Sequence, residues 1–125
     1  MSAVDYEAWR ERVIGYLDRH RRETDDPALA RALQRLTSIA VWVLDQNRYK
    51  PHVGAAELRE QVAQEINSYL KKMYIDGFGD RALHDAVLRG AELVDEVFEQ
   101  LILEERTAAQ GGARRAAAAE AGAES

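Results

Sequence analysis

The chain has 125 residues, no cysteine, and 17 Lys and Arg against 22 Asp and Glu, which gives a formal net charge of −5. The length fits one domain. The lack of cysteine excludes disulfides, thiolate metal ligands and a cysteine nucleophile. The acidic balance disfavours general binding to nucleic acid, because attraction to phosphate dominates that affinity. We therefore expect an acidic globular protein with no nucleic-acid partner.

The first residues and the longest apolar run bear on location. The opening MSAVDYEAW carries neither the basic nor the apolar stretch of a secretory signal. The longest apolar run, IAVWVL at residues 39–44, is too short to cross a bilayer. We therefore expect a soluble cytoplasmic protein with no membrane partner.

The first half of the chain predicts two helices. Only 8 Gly and 2 Pro punctuate the sequence, which favours a few long helices over many short strands. Apolar residues three and four apart predict helix one over residues 5–21. Helix two is expected to take Asp26 as its N-cap and Pro27 in its first turn, and to end near Asn47.

The second half predicts two more helices and a tail. Helix three is expected over residues 55–75, and the segment IDGFGD is a predicted turn in which Asp80 caps helix four. Helix four is expected to continue to about Arg106. Short connections make consecutive helices antiparallel neighbours, so residues 1–106 predict an all-α, up-down antiparallel four-helix bundle. Residues 107–125 are Ala-rich and of low complexity, which predicts a frayed helix or a disordered tail.

Motifs for catalysis or metal binding do not emerge. The carboxylates of helices three and four fall on the outward sides of those helices, where they cannot enclose an ion. The three histidines, His20, His52 and His84, lack the Glu-x-x-His or His-x-x-x-His spacing of metal sites. The sequence therefore predicts no catalytic residue, no metal and no cofactor. It leaves enzymatic activity open but favours a non-catalytic protein.

One set of polar residues is expected to converge at an end of the bundle. Asn47 and Arg59 fall on the inward sides of helices two and three, His52 lies between them, and Glu105 returns to the same end. A buried Arg requires a partner, and Glu105 is the candidate. The set is either a structural ion pair or a small anion-binding pocket, ligand-binding or enzymatic, that Arg59 anchors.

The IAVWVL run raises the main functional question, because its apolar residues surround the helix. The β-branched Ile39, Val41 and Val43 would also suit a short strand, but the strongly helical ALARALQRL before them favours a helix. Helix two is then central, or Trp42 packs into a notch at Gly90, or an exposed patch is covered by another chain. Tryptophan is over-represented in binding hot spots, which favours an interface formed by Ile39, Val41 and Trp42.

These observations predict a helical protein–protein interaction module. We expect it to form a homo-oligomer or to serve as a small accessory subunit of a larger protein, through the apolar patch of helix two. The alternative is a ligand-binding or enzymatic bundle with its pocket around Arg59.

Overall fold

The computed structural model describes residues 6–50, 53–75 and 81–124. Within these ranges the chain forms four helices and no strand. The helices are α1 (Tyr6–Glu23), α2 (Pro27–Gln46), α3 (Ala55–Ile75) and α4 (Arg81–Glu124). The all-α bundle is therefore confirmed, and the short strand considered for the IAVWVL run is wrong. The predicted turn up to Asp80 and its capping role lie outside the described residues.

Contacts between the helix ends give the up-down arrangement. The Tyr6 hydroxyl at the start of α1 donates to the Val53 carbonyl, which precedes α3, over 3.1 Å. Arg89 in α4 donates to Asp26 at the start of α2 over 2.7 Å. The starts of α1 and α3 are thus at one end of the bundle, and the starts of α2 and α4 are at the other.

The cross-section of the bundle is flattened. α2 and α4, which run parallel to each other, are in direct contact, whereas the backbones of α1 and α3 do not pack against each other within the described residues. α1 and α3 therefore flank a central pair. The core consists of fully buried apolar side chains from all four helices, the largest being Phe98, Leu17, Leu33, Leu36, Leu44, Leu58 and Leu101.

The start of α2 follows the sequence prediction. Asp26 is its N-cap, with Oδ1 accepting the Ala28 N–H at 3.0 Å, and Pro27 occupies the first turn. The hydrogen bond from Arg89, followed by that backbone bond, lowers the pKa of Asp26. One carboxylate therefore caps α2 and fixes its register against α4.

α4 is longer than expected. Its backbone remains helical to Glu124, well beyond the predicted end near Arg106. Alanine is the strongest helix former, so an Ala-rich segment can continue a helix without an apolar stripe to bury.

Gly90 explains how α2 and α4 come so close. A Cβ added at Gly90 would be 2.6 Å from Leu36 Cδ1 and 3.4 Å from Leu33 Cδ2. Both leucines are fully buried, so their side chains occupy the space that any larger residue would need. Gly90 does form the notch that the sequence suggested, but Leu36 fills it.

Substituting alanine for two helical glycines separates the effect of helix propensity on stability from the effect of core packing. Gly15, in α1, has nothing within 4 Å of an added Cβ, so Gly15→Ala should stabilise the protein by about 0.5–1 kcal/mol. Gly90→Ala should be less stable than Gly15→Ala by about 1–3 kcal/mol, because Leu36 must move within a packed core. Urea unfolding of the two variants measures this difference. Equal free energies of unfolding would contradict the close α2–α4 contact.

Candidate functional site

α2 presents two rows of side chains on opposite sides. The buried row is Leu33, Leu36, Ala40, Val43 and Asn47, which faces the other helices. The exposed row is Arg31, Arg35, Ser38, Trp42 and Asp45, continued by Tyr49 in the turn after the helix. We call the exposed row, Arg31 to Tyr49, the outer seam. From Arg31 to Asp45 its positions are spaced 4, 3, 4 and 3 residues apart, so these side chains lie on one side of α2.

The residues predicted to form the interface occupy different environments. Trp42 is 52 % exposed and belongs to the outer seam. Val41 and Ile39 are half-buried, and Ile39 packs against the core. The packing of Trp42 into the Gly90 notch, an alternative from the sequence, is wrong because Leu36 fills that space. The apolar run therefore surrounds α2 because the core takes one side, neighbouring helices cover the edges, and Trp42 is left outside.

Charges along the outer seam are asymmetric. Arg31 and Arg35 lie in its first half and Asp45 lies near its end. The Arg35 guanidinium is 5.2 Å from the centre of the Tyr69 ring of α3, and Asp45 is 3.5 Å from Arg10 of α1. Half of the Asp45 side chain remains exposed despite that pair. The seam thus offers cations at one end, an anion at the other, and an exposed indole ring between them.

Arg59 has a different partner from the one predicted. Its Nε and one terminal nitrogen donate to the two Asp95 carboxylate oxygens over 2.5 and 2.6 Å. This bidentate bond to Asp95 of α4, rather than to Glu105, raises the pKa of Arg59. The side chains are 38 % and 49 % exposed, so the pair is not the buried one expected from the sequence.

A small cavity lies beside this ion pair. Its volume is about 90 Å³, and its floor includes Val62, Ile66, Val94 and Phe98. Neither Asn47 nor Glu105 lines it. The cavity is therefore a shallow, largely apolar feature between α3 and α4, and its one guanidinium already holds a carboxylate.

The other residues of the predicted pocket bond elsewhere. Asn47 is 1 % exposed, and its amide donates to the Val43 carbonyl and to Gln61 Oε1, each over 2.7 Å. Glu105 Oε2 accepts the Ala55 N–H over 3.3 Å, which places a carboxylate at the positive end of the α3 dipole. His52 lies outside the described residues. Asn47, Arg59 and Glu105 thus form these hydrogen bonds with different partners.

Two tyrosines tie α1 to the rest of the bundle. Burial, and after it the hydrogen bond to Glu96 of α4, raises the pKa of Tyr16, whose hydroxyl is 2.8 Å from that carboxylate. Burial, followed by the charges of Glu105 and Glu57, raises the pKa of Tyr6. Both hydroxyls therefore remain protonated donors and serve to position helices.

The described residues contain no group of three or more His, Asp or Glu side chains that could hold a metal ion. None of the described helices is long and apolar enough to cross a membrane. Comparison with protein-family models, curated proteins and solved structures finds no match for the chain. Function must therefore be inferred from the chain's own surface.

Sequence reasoning did not identify Arg31, Arg35, Ser38, Asp45 or Tyr49 as parts of the candidate site. The available signal was their 4–3 spacing around Trp42, on the side of α2 opposite the leucines. Asp95 was also missed as the partner of Arg59. That contact depends on the register between α3 and α4, which helical spacing within each helix does not determine.

A double-mutant cycle tests whether Arg59 and Asp95 form a surface pair. Arg59→Ala, Asp95→Ala and the double variant should give a coupling free energy of at most about 1 kcal/mol, because both side chains are partly exposed. Chemical unfolding of the four proteins measures it. A coupling of about 3 kcal/mol or more would instead indicate the buried ion pair that the sequence predicted.

Proposed function

We propose that the chain is a non-catalytic helical interaction module that binds protein through the outer seam of α2. In this proposal it works in the cytoplasm, either as a homo-oligomer or as a small accessory subunit of a larger protein. The observation that carries the proposal is Trp42, a large apolar side chain left 52 % exposed on a rigid helix.

Physical chemistry favours burial of this surface by a partner. Removing apolar area from water stabilises an assembly by about 25 cal/mol per Å², and tryptophan offers a large area with little rotamer entropy to lose. Tyr49, 88 % exposed, extends the aromatic surface beyond the end of α2. Tryptophan, tyrosine and arginine are the residue types enriched in hot spots, and the outer seam contains all three.

The ligand-binding alternative around Arg59 has weaker support. Both donors that Arg59 directs at a carboxylate are taken by Asp95. The adjoining cavity of about 90 Å³ is also well below the roughly 300–1,000 Å³ of common ligand sites. An anion would have to displace Asp95 before it could bind.

Site-specific photo-crosslinking, carried out inside the cells that produce the protein, tests the proposal. Trp42 is replaced by photoreactive benzoylphenylalanine, which keeps an aromatic ring at the position. Leu103, 57 % exposed on α4, receives the same residue as a matched control. We expect an adduct at position 42 that is absent at position 103, because only the outer seam is covered by a partner.

The mass of the adduct identifies the form of assembly. Twice the chain mass of 14.1 kDa indicates a second copy, and any other mass indicates an accessory role on a different protein. No adduct at position 42, or the same adducts at both positions, would contradict the proposed function.

A further inference from the structure

We infer that the outer seam pairs with the outer seam of a second copy, with the two α2 helices antiparallel across a two-fold axis. The inference rests on the proposed function and names the partner of the same surface. It follows from the spacing, the side-chain sizes and the order of charges along the seam.

The spacing of the seam places its side chains on one side of α2. Steps of 4, 3, 4 and 3 residues lead from Arg31 to Asp45, and Tyr49 follows in the turn after the helix. The buried row of α2 uses the same alternation to pack inside the bundle. The seam borders α3 at Arg35 and α1 at Asp45, and between those two contacts Ser38 and Trp42 are exposed.

When a two-fold axis relates two antiparallel α2 helices, each residue faces a residue of the second copy. The two residue numbers of every such pair add up to the same sum. At a sum of 80, all six seam positions face another seam position. Arg35 then faces Asp45 of the second copy, and Trp42 faces Ser38 of the second copy. Arg31 faces the ring of Tyr49 of the second copy.

Each of these three pairings is complementary. Arg35 and Asp45 have opposite charges, and both remain exposed although Arg35 lies over Tyr69 and Asp45 beside Arg10 of the same chain. Trp42 and Ser38 combine the largest side chain of the seam with its smallest, which lets the helices approach closely. Arg31 over Tyr49 places a cation on an aromatic ring, a contact that Arg48 already makes with Tyr49 in the monomer, with the guanidinium 5.9 Å from the ring centre. Because of the two-fold axis, every pairing occurs twice.

The parallel arrangement is disfavoured by charge. It would place Arg31 against Arg31 and Arg35 against Arg35 of the two copies, and like charges at close contact are destabilising. One side of α4 is also unsuited to self-pairing. The exposed side of α4 carries Glu92, Glu96 and Glu99, so two such surfaces repel each other.

Charge reversal tests the pairing and its orientation. In Arg35→Glu, the new carboxylate faces Asp45 of the second copy; in Asp45→Arg, the new guanidinium faces Arg35. Each single variant should dimerise at least about tenfold more weakly than the unmodified chain. An equimolar mixture of the two should recover dimerisation, because both contacts are then between opposite charges.

The measurement is the mass in solution by light scattering, from about 10 μM to about 1 mM of chain, a range that covers weak specific association. The control pair is Arg81→Glu and Glu92→Arg, which make the same charge changes at exposed positions of α4. These controls should dimerise like the unmodified chain, alone and mixed. Circular dichroism checks that all variants keep their helices, and recovery on mixing excludes unfolding as the cause of the loss.

The outcomes separate this inference from the proposed function. A mixture that recovers dimerisation supports the antiparallel pairing. If neither charge reversal weakens dimerisation, the pairing is overturned. An adduct of dimer mass at position 42 would then still support the proposed function. A chain that stays monomeric up to about 1 mM also overturns the pairing. In that case a crosslink from position 42 to a different protein would support the proposed function. The absence of any crosslink would contradict both the pairing and the proposed function.

Discussion

Leu36 of α2 lies against Gly90 of α4 so closely that an added Cβ would stand 2.6 Å from its Cδ1. This contact brings the two helices together as the central pair and leaves α1 and α3 on its flanks. α4 packs against one side of α2, and the opposite side of α2 faces away from the core. Trp42 lies on that opposite side and is 52 % exposed.

α2 thus has two surfaces of different chemistry within twenty residues. The buried row is aliphatic apart from Asn47, and it holds the bundle together through dispersion and the hydrophobic effect. The outer seam mixes an indole, a phenol, guanidinium groups and a carboxylate, and so includes the residue types enriched in binding hot spots. In the proposed pairing, its charges must be matched by those of the partner.

Local pattern predicted most of the fold. Asp26 and Pro27 marked the start of α2, and the bounds of α3 agree with its predicted span of 55–75. α4 extends past the predicted end near Arg106 into the Ala-rich segment for which the sequence predicted a frayed helix or a disordered tail, because an Ala-rich helix needs no apolar stripe to persist.

The candidate site was only partly predictable. Trp42 was singled out because the apolar residues of the IAVWVL run surround the helix, and the structure leaves its side chain 52 % exposed. Contacts between helices were not predictable in the same way. The pairing of Arg59 with Asp95 and the capping of α3 by Glu105 depend on how far one helix slides along another, and that register is set by packing at positions such as Gly90.

The most direct measurement is the access of iodide to Trp42 as the chain concentration rises. Trp9→Phe leaves Trp42 as the only tryptophan, so its fluorescence quenching reports the outer seam alone. We expect efficient quenching in dilute solution, where half of the side chain is exposed, and progressive protection as copies pair through α2. Quenching that does not change with concentration would show that no second copy covers Trp42, and it would contradict self-association through the outer seam.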